Sequence, residues 1–449
     1  MQREYNDSRS CSRRGRWGVA LVAALALTTT GCDSLLDVEN PNNVIQSDLE
    51  DASSVNALVN GALALAADAI GDLNVSTTAL SDEVYHTGSQ NWAAELVGGS
   101  ITNPEGRSNE VFNELAEARW MADEAIGTAE EFAAELTVPS DLARANLISG
   151  MVYMTIADNM EDFTFSNRTE VAPPIGESNM QSVYDIALDR LSTAESEAAA
   201  VGATNIVLAS RALQARTHWA RALWPKLNPP GSAPADPLIN DAQANALAEQ
   251  VLASLPEPDW TYDLGFSSSS QSNPMGSWII NRREFQVSNV YVQLNVSGRE
   301  VEAITLLDPV EGIPDPTLEA TIFNFLEQGL YPPLTVVSAR EMHLILAEAA
   351  LASGDDAAAQ GHLNDVRALR GVAAYDASAN SDTSLMELLQ HERQVNLFFQ
   401  PTRRIWDMYR FDVDAPTWAP GSDATRNGQL FIIGQDESVS NCYILGTCS

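Results

Sequence analysis

Positive charge is scarce in this sequence. Lys226 is the only lysine among 449 residues, and 25 basic residues stand against 61 acidic ones, which gives a net charge of −36. A protein that binds nucleic acid needs basic side chains against the phosphates, so the composition argues against this class. It argues equally against electrostatic binding to anionic lipid. A neutral ligand suits such a surface better than an anionic one.

Motifs of familiar catalytic chemistry are missing as well. The sequence has no H-E-x-x-H, no G-x-S-x-G and no glycine loop of the phosphate-binding kind. The five histidines are dispersed, and the four cysteines lie too far apart for a zinc site. Adjacent acids such as Glu161 and Asp162 could serve a glycosidase, but in so acidic a chain such pairs carry little information. We therefore expect no catalytic residue, no metal and no cofactor.

The apolar run near the N-terminus is too short to span a bilayer. Trp17–Leu27 follows a basic stretch and has the length of the apolar region of a signal peptide. The small residues Thr28–Gly31 then lead into Cys32, as before a lipidated cysteine. This pattern predicts a lipoprotein signal peptide at residues 1–31 and a mature domain at 32–449. An ordinary signal-peptidase site with a free Cys32 is the alternative.

Of the other cysteines, only two lie close together. Cys442 and Cys448 are near the C-terminus, whereas Cys11 lies in the targeting segment. In an exported protein such a pair predicts a disulfide that closes a small loop. Two free thiols are the alternative.

Three helices are predicted within residues 338–410. Apolar residues recur at helical spacing over Ala339–Ser353, and Gly354 predicts the end of this helix. The turn that follows is short, so the next helix must run antiparallel to the first. Ser384 and Glu387 form the sequence pattern of a capping box, which predicts the start of the third helix.

Carboxylates interrupt the apolar stripes of these helices. Glu348 and Glu392 each lie in line with leucine, alanine or valine residues. A buried carboxylate costs several kcal/mol unless it is paired, and arginine matches its geometry. We therefore predict buried ion pairs that fix the helix register, with a catalytic role as the alternative. The residues expected in these pairs are Arg340, Glu348, Arg367, Glu392, Arg393, Arg404 and Asp407.

The same stretch carries a series of short motifs in a fixed order. They are Arg340-Glu341, Leu346–Ala349, Leu363–Arg367, Glu392-Arg393 and Arg404–Arg410. Together they resemble the C-terminal signature of the SusD/RagB family of outer-membrane lipoproteins. Two departures are Gln400–Thr402, where family members usually carry Glu-Gly, and Ile432, where proline is usual. The segment Asp33–Pro41 after the cysteine also resembles the start of family members.

The resemblance implies a mainly α fold in which paired antiparallel helices, similar to tetratricopeptide units, support a loop-rich binding face. The helical scaffold is expected at residues 45–225 and 336–410, and the loop-rich segment at 228–335. The family captures nutrients, usually glycans, for a SusC-like TonB-dependent transporter. The resemblance therefore implies a lipid-anchored protein of the outer membrane that binds a glycan and is not an enzyme. A membrane-anchored glycan-degrading enzyme and a helical-repeat scaffold that binds only proteins are the alternatives.

Two segments have the composition of a sugar site. Sugars present apolar C–H faces and outward hydroxyl groups, so a receptor needs aromatic rings beside amides, carboxylates or arginines. Asp82–Trp92 and Trp278–Tyr291 supply this mixture, and the resemblance places ligand contacts in the first of them. The alternative is that the tryptophans pack against the helices. The expected ligand-binding residues are Asp82, Tyr85, Asn91, Trp92, Trp278, Arg282 and Tyr291.

Overall fold

The computed structural model describes residues 51–167, 170–298 and 300–448. They belong to one unit, Leu49–Ser449. The predicted signal peptide, Cys32 and the first residues of the expected scaffold lie outside the described residues.

Helices dominate the described residues, so the predicted mainly α class is confirmed. They are α1 Val55–Leu80, α2 Asn91–Val97, α3 Arg107–Glu131, α4 Asp141–Asn159, α5 Gln181–Ala200, α6 Thr204–Leu227, α7 Ala242–Leu252, α8 Pro274–Gly276, α9 Pro316–Gln328, α10 Ala339–Ser353, α11 Asp356–Leu369, α12 Leu385–Asn396, α13 Arg403–Arg410, α14 Gln435–Ser440 and α15 Cys442–Leu445.

The long helices pack on one another largely in chain order. α3 packs on α1 and α4, α5 packs on α4 and α6, and α7 lies between α6 and α10. Only three residues join α5 to α6, which makes this pair an antiparallel hairpin. α1 is long and apolar enough to cross a membrane, but more than half of its most apolar window is buried inside the protein. It is therefore placed as a core helix.

The C-terminal helices begin and end as their caps predict. α10 spans Ala339–Ser353, and Gly354 adopts the left-handed conformation at φ 76° that glycine tolerates best. The Asp355 carboxylate caps α11, and Ser384 and Glu387 form both bonds of the capping box at α12. The apolar stripes of α10, α11 and α12 meet in a small core of their own. It contains Leu344, Ala347, Leu363, Val366, Tyr375, Leu388, Leu389 and Leu397.

The helix α9 was not predicted from the sequence. α9 lies inside the expected loop-rich segment, where Pro314, Asp315 and Pro316 suggested only a loop. Asp315 is in fact the N-cap, and its side chain accepts a hydrogen bond from the Leu318 amide. Pro316 occupies the first turn, where its fixed φ suits a helix and its missing N–H costs nothing. The same residues that signal a loop therefore begin a helix.

The strands form three antiparallel pairs. β1 Val84–His86 pairs with β3 Phe285–Val287, β2 Thr261–Leu264 with β6 Leu334–Ser338, and β4 Val292–Leu294 with β5 Val301–Ile304. β1 follows α1 after three residues, and its partner β3 comes from a distant part of the chain.

Candidate functional site

The pairing of β1 with β3 joins the two segments that were predicted to bind a ligand. Val84 lies opposite Val287, Tyr85 opposite Gln286, and His86 opposite Phe285. About 200 residues separate the two strands along the chain, so neither strand reveals the other locally. We call this two-stranded element, with the adjoining Trp92 and Trp278–Arg283, the ribbon face.

Aromatic side chains cluster on the ribbon face. The rings of Trp92 and Trp278 are perpendicular, with centroids 4.9 Å apart, and the Phe285 ring lies 5.8 Å from Trp92. Both tryptophans are half-buried, whereas Phe285 is buried. The Tyr85 hydroxyl donates to Oε1 of Gln286 across the strands at 3.0 Å. Thus the tryptophans pack on each other and still reach the surface.

Arginines cover the rings of both tryptophans. The Arg107 guanidinium lies 4.7 Å from the Trp92 ring and is held beneath the surface by Asp72 and Glu110. Arg282 lies 4.2 Å from the Trp278 ring but is exposed, and it has no ion pair among the described residues. Arg282 can therefore move aside and uncover Trp278, whereas Arg107 is a fixed support for Trp92.

Glu284 shapes the turn that links β1 to α2. Its Oε2 accepts hydrogen bonds from the amides of Ser89 at 2.7 Å and Gln90 at 3.0 Å. These amides and His86 at 3.4 Å hold the pKa of Glu284 below its usual value, against the opposing effect of desolvation. A Cβ atom at Gly88 would stand 2.0 Å from this oxygen. Glycine is therefore required for the close approach, and Asn91 is displayed at the exposed start of α2.

Two of the predicted ligand residues are not available to a ligand, and here the prediction needs correction. Tyr291 is fully buried, and its hydroxyl donates to Oδ1 of Asp82 at 2.7 Å. Both Asp82 oxygens accept from Arg404, at 2.7 and 2.6 Å. Their polar atoms are thus satisfied inside the protein. Asp82 and Tyr291 are supports of the ribbon face rather than surface contacts.

The carboxylate of Glu348 lies at the centre of a buried charge network. It is fully buried and accepts from the Trp219 indole at 3.1 Å and the Ile239 amide at 2.8 Å. Its arginine partners are Arg410, which forms a short contact, and Arg393 at 3.8 Å. Arg410 was not among the residues expected in the ion pairs, although it belongs to the last C-terminal motif.

Asp407 links the same two arginines from their other side. It lies 2.9 Å from both Arg393 and Arg410. Desolvation by itself would raise the pKa of Asp407, but these two guanidinium groups hold it below its usual value. The two guanidinium groups therefore favour the charged form of Asp407 in the interior.

The remaining expected pairs are separate. Arg367 donates to Glu392 at 2.6 Å and to Asp308 at 2.8 Å, and all three are buried. Arg340 instead pairs with Asp259, at 2.6 Å. Arg367 and Glu392 lie on the neighbouring helices α11 and α12, whereas Asp308 and Asp259 come from earlier parts of the chain. The ion pairs thus connect the C-terminal helices to earlier segments.

Cavities flank the ribbon face. One of about 470 Å³ has apolar walls that include Ile279, Ile280 and Val287, with Gln286 and Arg283 at its rim. Another of about 190 Å³ lies on the side of Tyr85, next to Ser288, Asn289 and Thr417. A third of about 440 Å³ lies elsewhere, between α9 and the end of α12, and is lined by Phe325, Phe398 and Phe399 and several amide side chains. Two of these cavities can therefore extend the ribbon face into a groove.

At the C-terminus, Cys442 and Cys448 form a disulfide, with Cα atoms 4.8 Å apart. It closes a loop around α15 and lies far along the chain from both ribbon strands.

Sequence reasoning missed Arg107, Glu284 and Phe285 as parts of this site. Arg107 lies in the first turn of α3, where it reads as an ordinary surface residue. Glu284 follows two arginines and resembles one more charged loop residue. Only the antiparallel register brings Glu284 and Phe285 against the turn after β1. The sequence offered one signal for these residues. A β-forming triplet, Phe285–Val287, directly follows Arg282, Arg283 and Glu284.

Comparison with known proteins supports the resemblance. The model of the SusD family matches residues 340–438. No curated protein matches the sequence. The resemblance found from the C-terminal motifs is thus confirmed in the segment that carries them.

Solved structures share the fold over most of the chain. A SusD superfamily protein from Parabacteroides distasonis aligns with a TM-score of 0.58 at 14% identity, over 87% of this chain and 98% of its own. One from Bacteroides thetaiotaomicron gives 0.57 at 14% identity, over 87% and 98%. A SusD-like carbohydrate binding protein from Bacteroides vulgatus gives 0.54 at 12% identity, over 88% and 98%. At such low identity these similarities establish the fold alone.

Proposed function

We propose that this chain, which carries a SusD family segment on a SusD-like fold, binds a glycan at the ribbon face. The proposal includes delivery of the glycan to a SusC-like TonB-dependent transporter of the outer membrane. The observation that carries it is the pairing of β1 with β3, which unites Trp92 and Trp278 in one half-exposed cluster. The carbohydrate-binding neighbour from Bacteroides vulgatus supports the ligand class.

The ribbon face has the chemistry that a sugar requires. Trp92 and Trp278 offer apolar ring surface to C–H groups, and Gln286, Asn91 and Arg282 offer hydrogen bonds to hydroxyl groups. All three polar residues are at least partly exposed. Because Arg282 lies over Trp278 in the free protein, a ligand must displace it or stack on its outer side. A neutral glycan avoids repulsion by the acidic surface as a whole.

The hydrogen bonds that the nearby acidic side chains make inside the protein favour binding over hydrolysis. The Asp82 carboxylate accepts hydrogen bonds from Arg404. Glu83 accepts from the Phe399 amide at 2.8 Å, and Glu284 accepts from the amides of the turn. All three are buried. A glycosidase needs two carboxyl groups that reach the glycosidic bond from opposite sides. Carboxylates that serve as internal acceptors do not meet that requirement.

The tryptophan pair provides the test of the ligand site. An array of neutral and acidic oligosaccharides, probed with the soluble chain, would identify a binder for calorimetry. Each ring that buries about 60 Å² of sugar contributes roughly 1.5 kcal/mol, or about tenfold in affinity. We therefore expect Trp92→Ala with Trp278→Ala to weaken binding by roughly 100-fold.

Trp224→Ala is the matched control for this test. Trp224 is also half-buried but lies on α6, away from the ribbon face. The control should bind as the unchanged protein does. If the double variant remains folded by circular dichroism and binds equally well, the ribbon face is not the site. If no glycan on the array binds, the proposed ligand class is wrong.

Membrane attachment is tested separately. We propose that Cys32 becomes the first mature residue and carries acyl chains, since small residues precede it after a short apolar run. Each buried CH₂ contributes about 0.8 kcal/mol, so two or more chains anchor a protein stably. Cys32→Ala should therefore move the protein from the membrane fraction to the soluble fraction. The Cys11→Ala variant is the control, and continued membrane association of Cys32→Ala would contradict the anchor.

A further inference from the structure

Two histidines and an aspartate converge between α10 and α11. His343 lies on α10, and His362 and Asp365 lie three residues apart on one face of α11. Nδ1 of His343 is 3.7 Å from Oδ2 of Asp365, and the two imidazole rings are 5.8 Å apart. One ligand atom from each of the three residues falls within 4.8 Å of the others. The sequence alone does not reveal this cluster, because the two histidines lie on different helices.

One nitrogen of each imidazole has no hydrogen-bond partner among the described residues. Nδ1 of His343 and Nδ1 of His362 are both buried without a hydrogen-bond partner. Buried polar atoms in proteins nearly always have a hydrogen-bond partner, so these two nitrogens are candidates for binding a ligand.

The surroundings favour a cation. Asp365 is 61% exposed, which leaves a route from solvent to the cluster. Glu249, on α7, adds negative charge that acts on His362. The whole chain has a net charge of −36, which raises the local concentration of cations.

A second His–Asp cluster, formed by Asp308, Asp315 and His391, serves as a contrast. There Oδ1 of Asp308 accepts from two backbone amides, and Arg367 bonds to both Asp308 oxygens. Asp315 accepts from Leu318 with one oxygen and contacts His391 with the other. The donors and acceptors of this second cluster are already satisfied, and the Arg367 guanidinium already supplies a positive charge there. The pair of unpartnered imidazoles is what distinguishes the site between α10 and α11.

We propose that His343, His362 and Asp365 bind a divalent transition-metal ion, of which zinc is the simplest example. Two imidazoles and one carboxylate suit zinc, cobalt, nickel or copper, whereas calcium and magnesium prefer oxygen ligands alone. With bonds of about 2.0–2.1 Å, tetrahedral ligand atoms stand roughly 3.3 Å apart. The present spacings are 3.7 Å between His343 and Asp365 and at most 4.8 Å among the three ligand atoms, so all three side chains would rotate slightly to hold an ion. Water completes the coordination from the open side.

The bound ion would connect two helices of the SusD family segment. α10 and α11 otherwise meet through their apolar stripes and the turn at Gly354. A metal held by both helices stabilises the folded state by mass action, because the unfolded chain does not hold the three ligands together. This inference is independent of the proposed glycan site, which lies on other elements.

The experiment titrates the metal-free protein with Zn²⁺ by calorimetry, and with Co²⁺ by visible absorption. We expect one ion per chain, tetrahedral cobalt bands, and a melting temperature that rises with zinc. His343→Gln, His362→Gln and Asp365→Asn should each weaken binding at least tenfold. His218→Gln is the matched control, since His218 is also a partly buried imidazole but lies on α6. It should bind as the unchanged protein does.

Two outcomes would overturn the site. An occupancy below one ion per chain at millimolar zinc would show that the cluster does not bind a metal. Tight binding that survives the His343→Gln and His362→Gln double change would place the ion elsewhere on the acidic surface. Circular dichroism of each variant separates lost ligands from lost fold. Because glutamine and asparagine nearly preserve side-chain size, we expect the fold to persist.

Discussion

Arg410→Met is expected to lower the free energy of unfolding by about 3–5 kcal/mol. The Arg410 guanidinium is fully buried and pairs with both Glu348 and Asp407. It also donates to the Pro237 carbonyl at 3.1 Å. Methionine fills most of the same space but offers no donor. The change therefore leaves Glu348 and Asp407 in the interior with less compensating charge.

The loss of stability should come from the buried carboxylate charge that is left without its partner, and not from the smaller volume of the methionine side chain. If so, Arg410→Met combined with Glu348→Gln will cost less than the sum of the two single changes, because the glutamine is neutral. The single oxygen of the glutamine can still accept from the Ile239 amide or from the Trp219 indole, which now bond to different oxygens of Glu348. Denaturant unfolding of the four proteins, followed by circular dichroism, gives this coupling energy directly.

Arg221→Met serves as the control for the same chemical change at the surface. Arg221 pairs with Asp185 at 2.9 Å, but both side chains are largely exposed. Exposed pairs contribute about 0–1 kcal/mol, since water screens them. Should Arg410→Met cost no more than Arg221→Met, the buried network would not hold these helices in register.

The sequence predicted most where the determinants are local. The bounds of α10, its Gly354 cap and the capping box at Ser384 follow from residues within a few positions of each other. The burial of Glu348 and Glu392 also follows, because helical spacing places them among apolar neighbours. The sequence does not predict which arginine pairs with Glu348. That pairing depends on the position of α13, 62 residues further on.

The candidate site shows the same limit more strongly. The composition of the two segments marked them separately as ligand-binding, but only the β1–β3 register makes them one surface. Tyr291 and Asp82 lie just outside the paired strands and are removed from the surface by their bonds to each other and of Asp82 to Arg404. α9 was missed for a different reason, since Pro314–Pro316 contains residues that favour both loops and helix starts.

Glu83 lies at the base of the ribbon face and makes its stability dependent on pH. Its carboxylate accepts from the Phe399 amide, and its carbonyl accepts from the Ser288 amide at 2.9 Å. Burial raises the pKa of Glu83 from its ordinary value of 4.5 to about 8, with the neighbouring Asp82 adding to the shift. The folded protein thus holds a proton at Glu83 that the unfolded chain has released above pH 4.5.

The free energy of unfolding should therefore fall as pH rises from about 4.5 to about 8. Below pH 4.5 both states carry the proton, so the stabilisation is fully present. Above pH 8 both have lost it, and the folded state must bury a charge. At about 1.4 kcal/mol per pH unit, Glu83 accounts for a loss of about 3–5 kcal/mol. Glu114, whose pKa burial raises to about 7, changes stability in the same direction.

Glu83→Gln isolates the contribution of Glu83. The amide keeps the acceptor for Phe399 and cannot ionise, so the variant should lose stability less steeply with rising pH. Denaturant unfolding at pH 5, 7 and 9 measures the difference, and Glu114 contributes equally to both proteins. Equal pH dependence in the two proteins would mean that Glu83 is already ionised at neutral pH. In that case Arg404 beside Asp82 would have to compensate two buried carboxylates rather than one.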